Sequence, residues 1–201
     1  MQRLLVLSAL LCCFACANTP TEQQKPNVTV GADSITTAPP VTDNPWIDRC
    51  CSLVSDAELQ KMYNIDPSRD VFNTRALPGK AYCLRTWMRP NWKQIESDNE
   101  KPGAVDREFK NTLALQVINF GSTLQSTERM ATTRTAQRDM YAVDVPNLGN
   151  DALWAPSTNT LLVQKEHLQF SVMFSYADDP DQNLAEARRL AELMLPRLTP
   201  Q

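Results

Sequence analysis

Histidine is almost missing from this chain: His167 stands alone, and the five glycines are scattered singly. One histidine leaves little room for the acid-base and nucleophilic chemistry that a Ser-His or Cys-His pair performs. No serine sits between the flanking glycines that a nucleophile elbow requires. Without clustered glycines there is no loop to cradle a phosphate. Positive charge is outnumbered, 20 Lys and Arg against 23 Asp and Glu for a formal net charge of −3, so nothing electrostatic invites a nucleic acid, whose binders display a basic patch. Past Ala17, no segment is long and apolar enough to read as a membrane span.

The chain opens with a segment that reads as an export signal: Arg3, then an apolar run from Leu4 containing LLVLSALL, then small residues before the polar NTPTEQQ. That run is too short, at about 1.5 Å per residue, to cross a hydrocarbon core of about 30 Å. Two processing routes compete over the same residues. Cys16 follows Ala15, the small residue that bacterial lipoprotein signals carry just before the modified cysteine. ACA at residues 15–17 also satisfies the small-x-small rule, and cleavage after Ala17 would release a soluble secreted or periplasmic protein. The lipoprotein route is the leading expectation: a signal peptide over residues 1–15, a lipid anchor on Cys16, and attachment to the membrane of a bacterial cell envelope. With Ala17 rather than Asp after the anchor, resemblance to Gram-negative sorting points to the outer membrane.

Residues 16–45 are rich in Thr and Pro and hold no aromatic side chain. Such a segment buries too little apolar surface to offset its ordering entropy and is expected to be a disordered tether. Residues 46–201 are expected to form one domain. Ser55 with Glu58 reads as a capping box, and Val54 with Leu59 as a staple, so a short helix should start at Asp56. RDVFNTRA and AYCLRTWMR alternate with period two around Pro78 and Gly79 and predict a hairpin. TLALQVINF predicts a strand with Leu113, Leu115 and Val117 on one face. The long polar stretch after Arg89, with two prolines, reads as a surface loop. STLQSTERMATTRTAQRDMY reads as a helix, ALWA, TLLVQK and LQFSVMFSY as strands, and DPDQNLAEARRLAELM as a helix with Leu184, Ala187, Ala191 and Met194 on one stripe. Pro196 should end it. The sum is an α+β fold: an antiparallel sheet covered by three amphipathic helices in a single disulfide-stapled domain.

After either cleavage Cys50, Cys51 and Cys83 remain, and an exported chain meets an oxidising compartment. Adjacent cysteines rarely bridge one another, so either Cys50 or Cys51 is expected to pair with Cys83. A bridge from Cys51 would close a loop of about 33 residues and contribute roughly 3 to 4 kcal/mol by chain entropy. The spare cysteine, Cys50 in that case, is then a reactive thiol, an intermolecular bridge or a buried inert thiol, burial being the ordinary outcome. A zinc site from the three cysteines and His167 lacks paired ligand spacing. ADDPDQN departs from the calcium-loop pattern and reads as a turn and helix cap. Arg134 and Arg138 share a helical face that would suit an anion, although a solvated face is the ordinary reading. Of the four tryptophans, Trp92 lies in the polar stretch and, if exposed, is a candidate ligand contact. No metal or organic cofactor is implied.

Two stretches resemble an actinobacterial family of secreted lipoproteins of unknown function. CSLVSDAEL, residues 51–59, is similar to the family's opening Cys-x-Leu-Leu-Thr-x-x-Glu-Val, with a second cysteine later, here Cys83. Residues 145–172 are similar to its Leu-Gly-Asp-x-Ala-x-Trp turn, which a hairpin and an amphipathic helix follow. This resemblance implies that Cys51 is the partner of Cys83. Cys50 is then an extra cysteine, and Asn150 stands where the family has Asp. The expected function is that of an exported, non-enzymatic lipoprotein domain that binds a protein partner or small ligand. Behind it stand a structural or accessory subunit of an envelope complex and, third, a hydrolase or thiol-redox enzyme.

Overall fold

The fold is that of a computed structural model, which describes residues 44–68 and 72–198. The expected signal segment, Cys16 and nearly all of the expected tether lie outside the described residues. A 3-10 turn over Cys50–Leu53 leads into helix α1, Asp56–Tyr63. The Ser55 hydroxyl accepts from the Glu58 amide, and the Glu58 carboxylate accepts from the Ser55 amide at 2.8 Å. This is the reciprocal capping that the sequence predicts. Leu53, Val54 and Leu59 are fully buried beneath this corner.

Seven strands follow: β1 Asn73–Ala76, β2 Tyr82–Met88, β3 Lys110–Asn119, β4 Val143–Asp144, β5 Asp151–Ala155, β6 Thr160–Lys165 and β7 Leu168–Ser175. They form one sheet in the order β1-β2-β3-β7-β6-β5-β4, antiparallel at every pairing. Helix α2, Trp92–Asn99, lies between β2 and β3. Helix α3, Thr123–Ala136, follows β3, and helix α4, Pro180–Met194, follows β7.

Side-chain alternation gives the sheet two unlike faces. On the first, Leu113, Leu115 and Val117 of β3 meet Phe170, Val172 and Phe174 of β7 and Leu161 and Val163 of β6, and all are buried. Helix α4 covers this face with the predicted stripe: Ala187, Ala191 and Met194 are at 0 % exposure and Leu184 is half-buried, with Leu190 also at 0 % beside them. The 3-10 turn and α1 contribute Cys50, Leu53 and Leu59 to the same core. The hydroxyl of Tyr63 donates to Glu186 at 3.1 Å and ties α1 to α4. The disulfide joins Cys51 to Cys83, with Cα atoms 5.0 Å apart, and staples the 3-10 turn to β2.

The motif turn before β5 has a steric cause. Gly149 adopts φ +64°, and a Cβ built there would lie 2.3 Å from the Gln164 carbonyl oxygen. Only glycine fits so close an approach. Beside it, the Asn150 amide donates to that same carbonyl at 2.8 Å. The Asn150 side chain accepts from the Glu166 amide at 2.6 Å, a structural hydrogen bond that ties this turn to the β6–β7 connection.

Two expectations are corrected. The polar stretch after Arg89 is not all loop, because Trp92–Asn99 is helical; it buries Ile95 alone, too little to leave a readable period. Four α-helices are therefore described rather than three. Strand β4, two residues long, is an addition too short to carry an alternation pattern. Helix α4 ends at Met194 and gives way to a 3-10 turn over Leu195–Arg197, in keeping with Pro196.

Candidate functional site

The second sheet face is only partly covered. Helix α3 lies over the part of the sheet carrying Gln164 and Gln169, which are 2 % exposed. Gln169 Nε2 donates to the Ser126 carbonyl at 2.7 Å, and Gln164 Nε2 to the Thr127 hydroxyl at 2.8 Å. Beyond these anchors the sheet runs open, leaving a groove of about 340 Å³ between α3 and the strands. That volume is in the range of small-molecule sites, about 300 to 1,000 Å³.

Strand register builds the groove floor. Tyr82, Gln116, Ser171 and Leu162 are successive cross-strand partners on β2, β3, β7 and β6. The next row is Ala114, Met173 and Thr160. The first row is mostly hydroxyl and amide groups and the second mostly apolar, so the floor is of mixed polarity. Arg129, Thr133 and Gln137 rise along the wall at four-residue spacing on α3 and its C-cap, which places them on one helical edge. Tyr141 continues that line past the helix, and burial raises the pKa of its phenol above the ordinary tyrosine range.

These polar groups share one property. Tyr82, Gln116, Ser171, Arg129 and Gln137 have no side-chain hydrogen bond or ion pair among the described residues, and neither has Thr133, although it is only 5 % exposed. Gln116, Arg129 and Gln137 are exposed and Tyr82 and Ser171 half-buried, so these groups are open to solvent and to a ligand. Arg134, on the same helix, shows the contrast: its guanidinium donates to Asp151 at 2.8 Å and to Asp144 at 3.0 Å, and both raise its pKa. Arg134 is thus held by two carboxylates, which removes it as the anion-binding residue that its sequence suggests. Among the described lining residues Arg129 is the one charged group; the lining holds no carboxylate, histidine or thiol.

The other sequence candidates lie elsewhere. Trp92 is the first residue of α2, half-buried, with Lys93 Nζ 5.5 Å from its ring centroid. It does not line the groove. Cys50 is a free, buried thiol under the first sheet face. Its Sγ–H donates to the Leu115 carbonyl at 3.6 Å. Burial pushes its pKa up to about 12, with the nearby Arg85 charge only partly opposing. Such a thiol stays protonated and unreactive near neutrality. Asp179 of ADDPDQN caps α4, accepting from the Asp181 amide at 3.0 Å. Trp87 and Trp154 are core residues.

Sequence reading missed the wall residues. Their i, i+4 spacing is legible, but which helical edge faces the sheet depends on how α3 docks.

Fold and groove together define an α+β domain whose half-covered antiparallel sheet forms an open groove with one helix. In comparison with known proteins, the chain matches no family model, no curated protein and no solved structure.

Proposed function

We propose that this chain is an exported bacterial lipoprotein, anchored through acylated Cys16 to the cell envelope, whose domain binds a small ligand in the groove of the second sheet face without transforming it. The observation that carries the reading is the groove itself, a sheet floor of mixed polarity with a helical wall whose polar side chains are uncommitted. The lining groups suit hydrogen bonding and apolar contact, whereas acid-base and nucleophilic work ordinarily draws on carboxylate, imidazole or thiol groups. Export and anchoring rest on the apolar N-terminal run, the Ala15-Cys16 pair and the polar stretch that follows. A lipid anchor of more than one acyl chain would hold the domain stably at the membrane. The resemblance of residues 51–59 and 145–172 to an actinobacterial lipoprotein family favours the same location. Burial of Cys50 disfavours the accessory-subunit and thiol-redox readings, both of which need that sulfur to be reachable.

An uncharged fluorophore, N-phenylnaphthylamine, tests the groove. The reading predicts saturable one-to-one fluorescence enhancement that Ser171→Trp abolishes, by filling the centre of the floor, and Trp92→Ala leaves intact. No saturable binding, or binding that survives Ser171→Trp in a variant with native near-ultraviolet circular dichroism, would overturn it. Labelled palmitate tests the anchor: incorporation should be lost in Cys16→Ser.

A further inference from the structure

The groove's polarity carries a sharper conclusion, which rests on the ligand-binding reading above. We propose that its occupant is a small monoanionic amphiphile, a free carboxylic acid with an apolar body, whose acid group pairs with Arg129 and whose body lies on Leu162 and Met173.

The charge pattern is unusual for this molecule. The whole chain carries a net charge of −3, yet the described lining of the groove contains one cation and no anion. Arg129 has no carboxylate partner, whereas Arg134, on the same helix, has two. Arg129 is exposed on the edge of α3 that lines the groove, so its unpaired charge is open to an incoming anion. Its planar guanidinium matches a carboxylate through two parallel hydrogen bonds.

Thr133 adds a neighbouring polar group whose hydroxyl is open to the groove. One helical turn from Arg129, it lines the same groove with 5 % of its surface exposed, and its hydroxyl has no partner in the protein. An acid group held by Arg129 lies along the same helical edge, within reach of a second hydrogen bond from the Thr133 hydroxyl. Next to this polar end, Leu162, Met173 and Ala114 offer apolar contact on adjacent strands, with Ile118, 40 % exposed, farther along β3. The arrangement thus has a cationic end and an apolar bed, the complement of an amphiphilic acid. Its modest volume favours a free small molecule over a folded partner.

The test compares two fluorophores that differ by one acid group, N-phenylnaphthylamine and its sulfonate, anilinonaphthalene sulfonate, on the full chain without its signal segment. The proposal predicts that the sulfonate binds one-to-one, and that Arg129→Gln weakens it at least tenfold while changing N-phenylnaphthylamine less than twofold. Arg129→Lys should recover part of the loss. Arg129 is exposed on a helix, where glutamine is well tolerated, and unchanged thermal unfolding verifies the fold. If Arg129→Gln leaves sulfonate binding unchanged while the uncharged probe still binds, the anion proposal fails and the groove reading stands. If neither probe binds, both fail.

Discussion

Arg85 donates through Nε to the Asp56 carboxylate at 2.7 Å, although its own side chain is 4 % exposed and that of Asp56 is 51 % exposed. The rest of the guanidinium is also engaged, with Nη2 donating to the Cys51 carbonyl at 3.0 Å and Nη1 to Cys83 Sγ at 3.3 Å. One buried cation thus joins the start of α1, the disulfide and β2. Because the two partners differ in exposure, their removal should not cost the same. Asp56→Ala leaves a charge buried without its counter-ion and should destabilise by about 2 to 3 kcal/mol. Arg85→Met leaves a carboxylate that water can reach and should cost about 1 to 2 kcal/mol. Urea unfolding with an unchanged m-value checks the order.

The two cysteine classes should separate by chemistry. Cys51→Ala with Cys83→Ala opens a loop with a sequence separation of 32 and should cost about 3 to 4 kcal/mol. Cys50→Ala should leave ligand binding unchanged and cost about 1 kcal/mol. Native protein should resist iodoacetamide at Cys50 near neutral pH and react there once unfolded in guanidinium, which peptide mass spectrometry would read.

Acid should weaken the domain through Glu58. Hydrogen bonds from Arg197, at 3.0 Å for Nη1, and from the Ser55 amide, at 2.8 Å, hold its carboxyl down to about 2. A depressed folded-state pKa contributes stability above the unfolded value, about 4.3, and loses it as pH falls through the folded value. The carboxylate is a third exposed, so the pair contributes no more than about 1 kcal/mol. Glu58→Gln should therefore reduce stability at pH 7, and the difference from wild type should shrink between about pH 4.3 and pH 2. A constant difference across that range would exclude this pair as its source.

Gly149→Ala should destabilise by about 2 kcal/mol or more, from positive φ together with the clash at the Gln164 carbonyl. Gly79, with φ +69° but open space around it, should tolerate alanine better. Thermal unfolding of the two variants compares them directly.

Local signals carried much of this architecture. Ser55 and Glu58 fix the start of α1, alternation at Leu113, Leu115 and Val117 marks the core face of β3, and the apolar stripe of α4 marks its buried side. Helix α2 was illegible because one buried residue, Ile95, sets no period. The site was harder still. Ala114, Gln116 and Ile118 alternate with the core residues of β3, but their mixed polarity resembles an ordinary solvated face. Arg134 and Arg129 lie five positions apart on one helix, and sequence alone does not say that Asp144 and Asp151 meet the first and not the second. Those carboxylates come from strands β4 and β5, whose place beside α3 is set by the sheet order.

The most direct test of the account is amide chemical-shift mapping by NMR during titration with N-phenylnaphthylamine. The account predicts that perturbed amides cluster at Tyr82, Gln116, Ser171 and Thr133, with Trp92 and Lys93 unmoved. Shifts centred on Trp92 and the start of α2, with the groove silent, would contradict it.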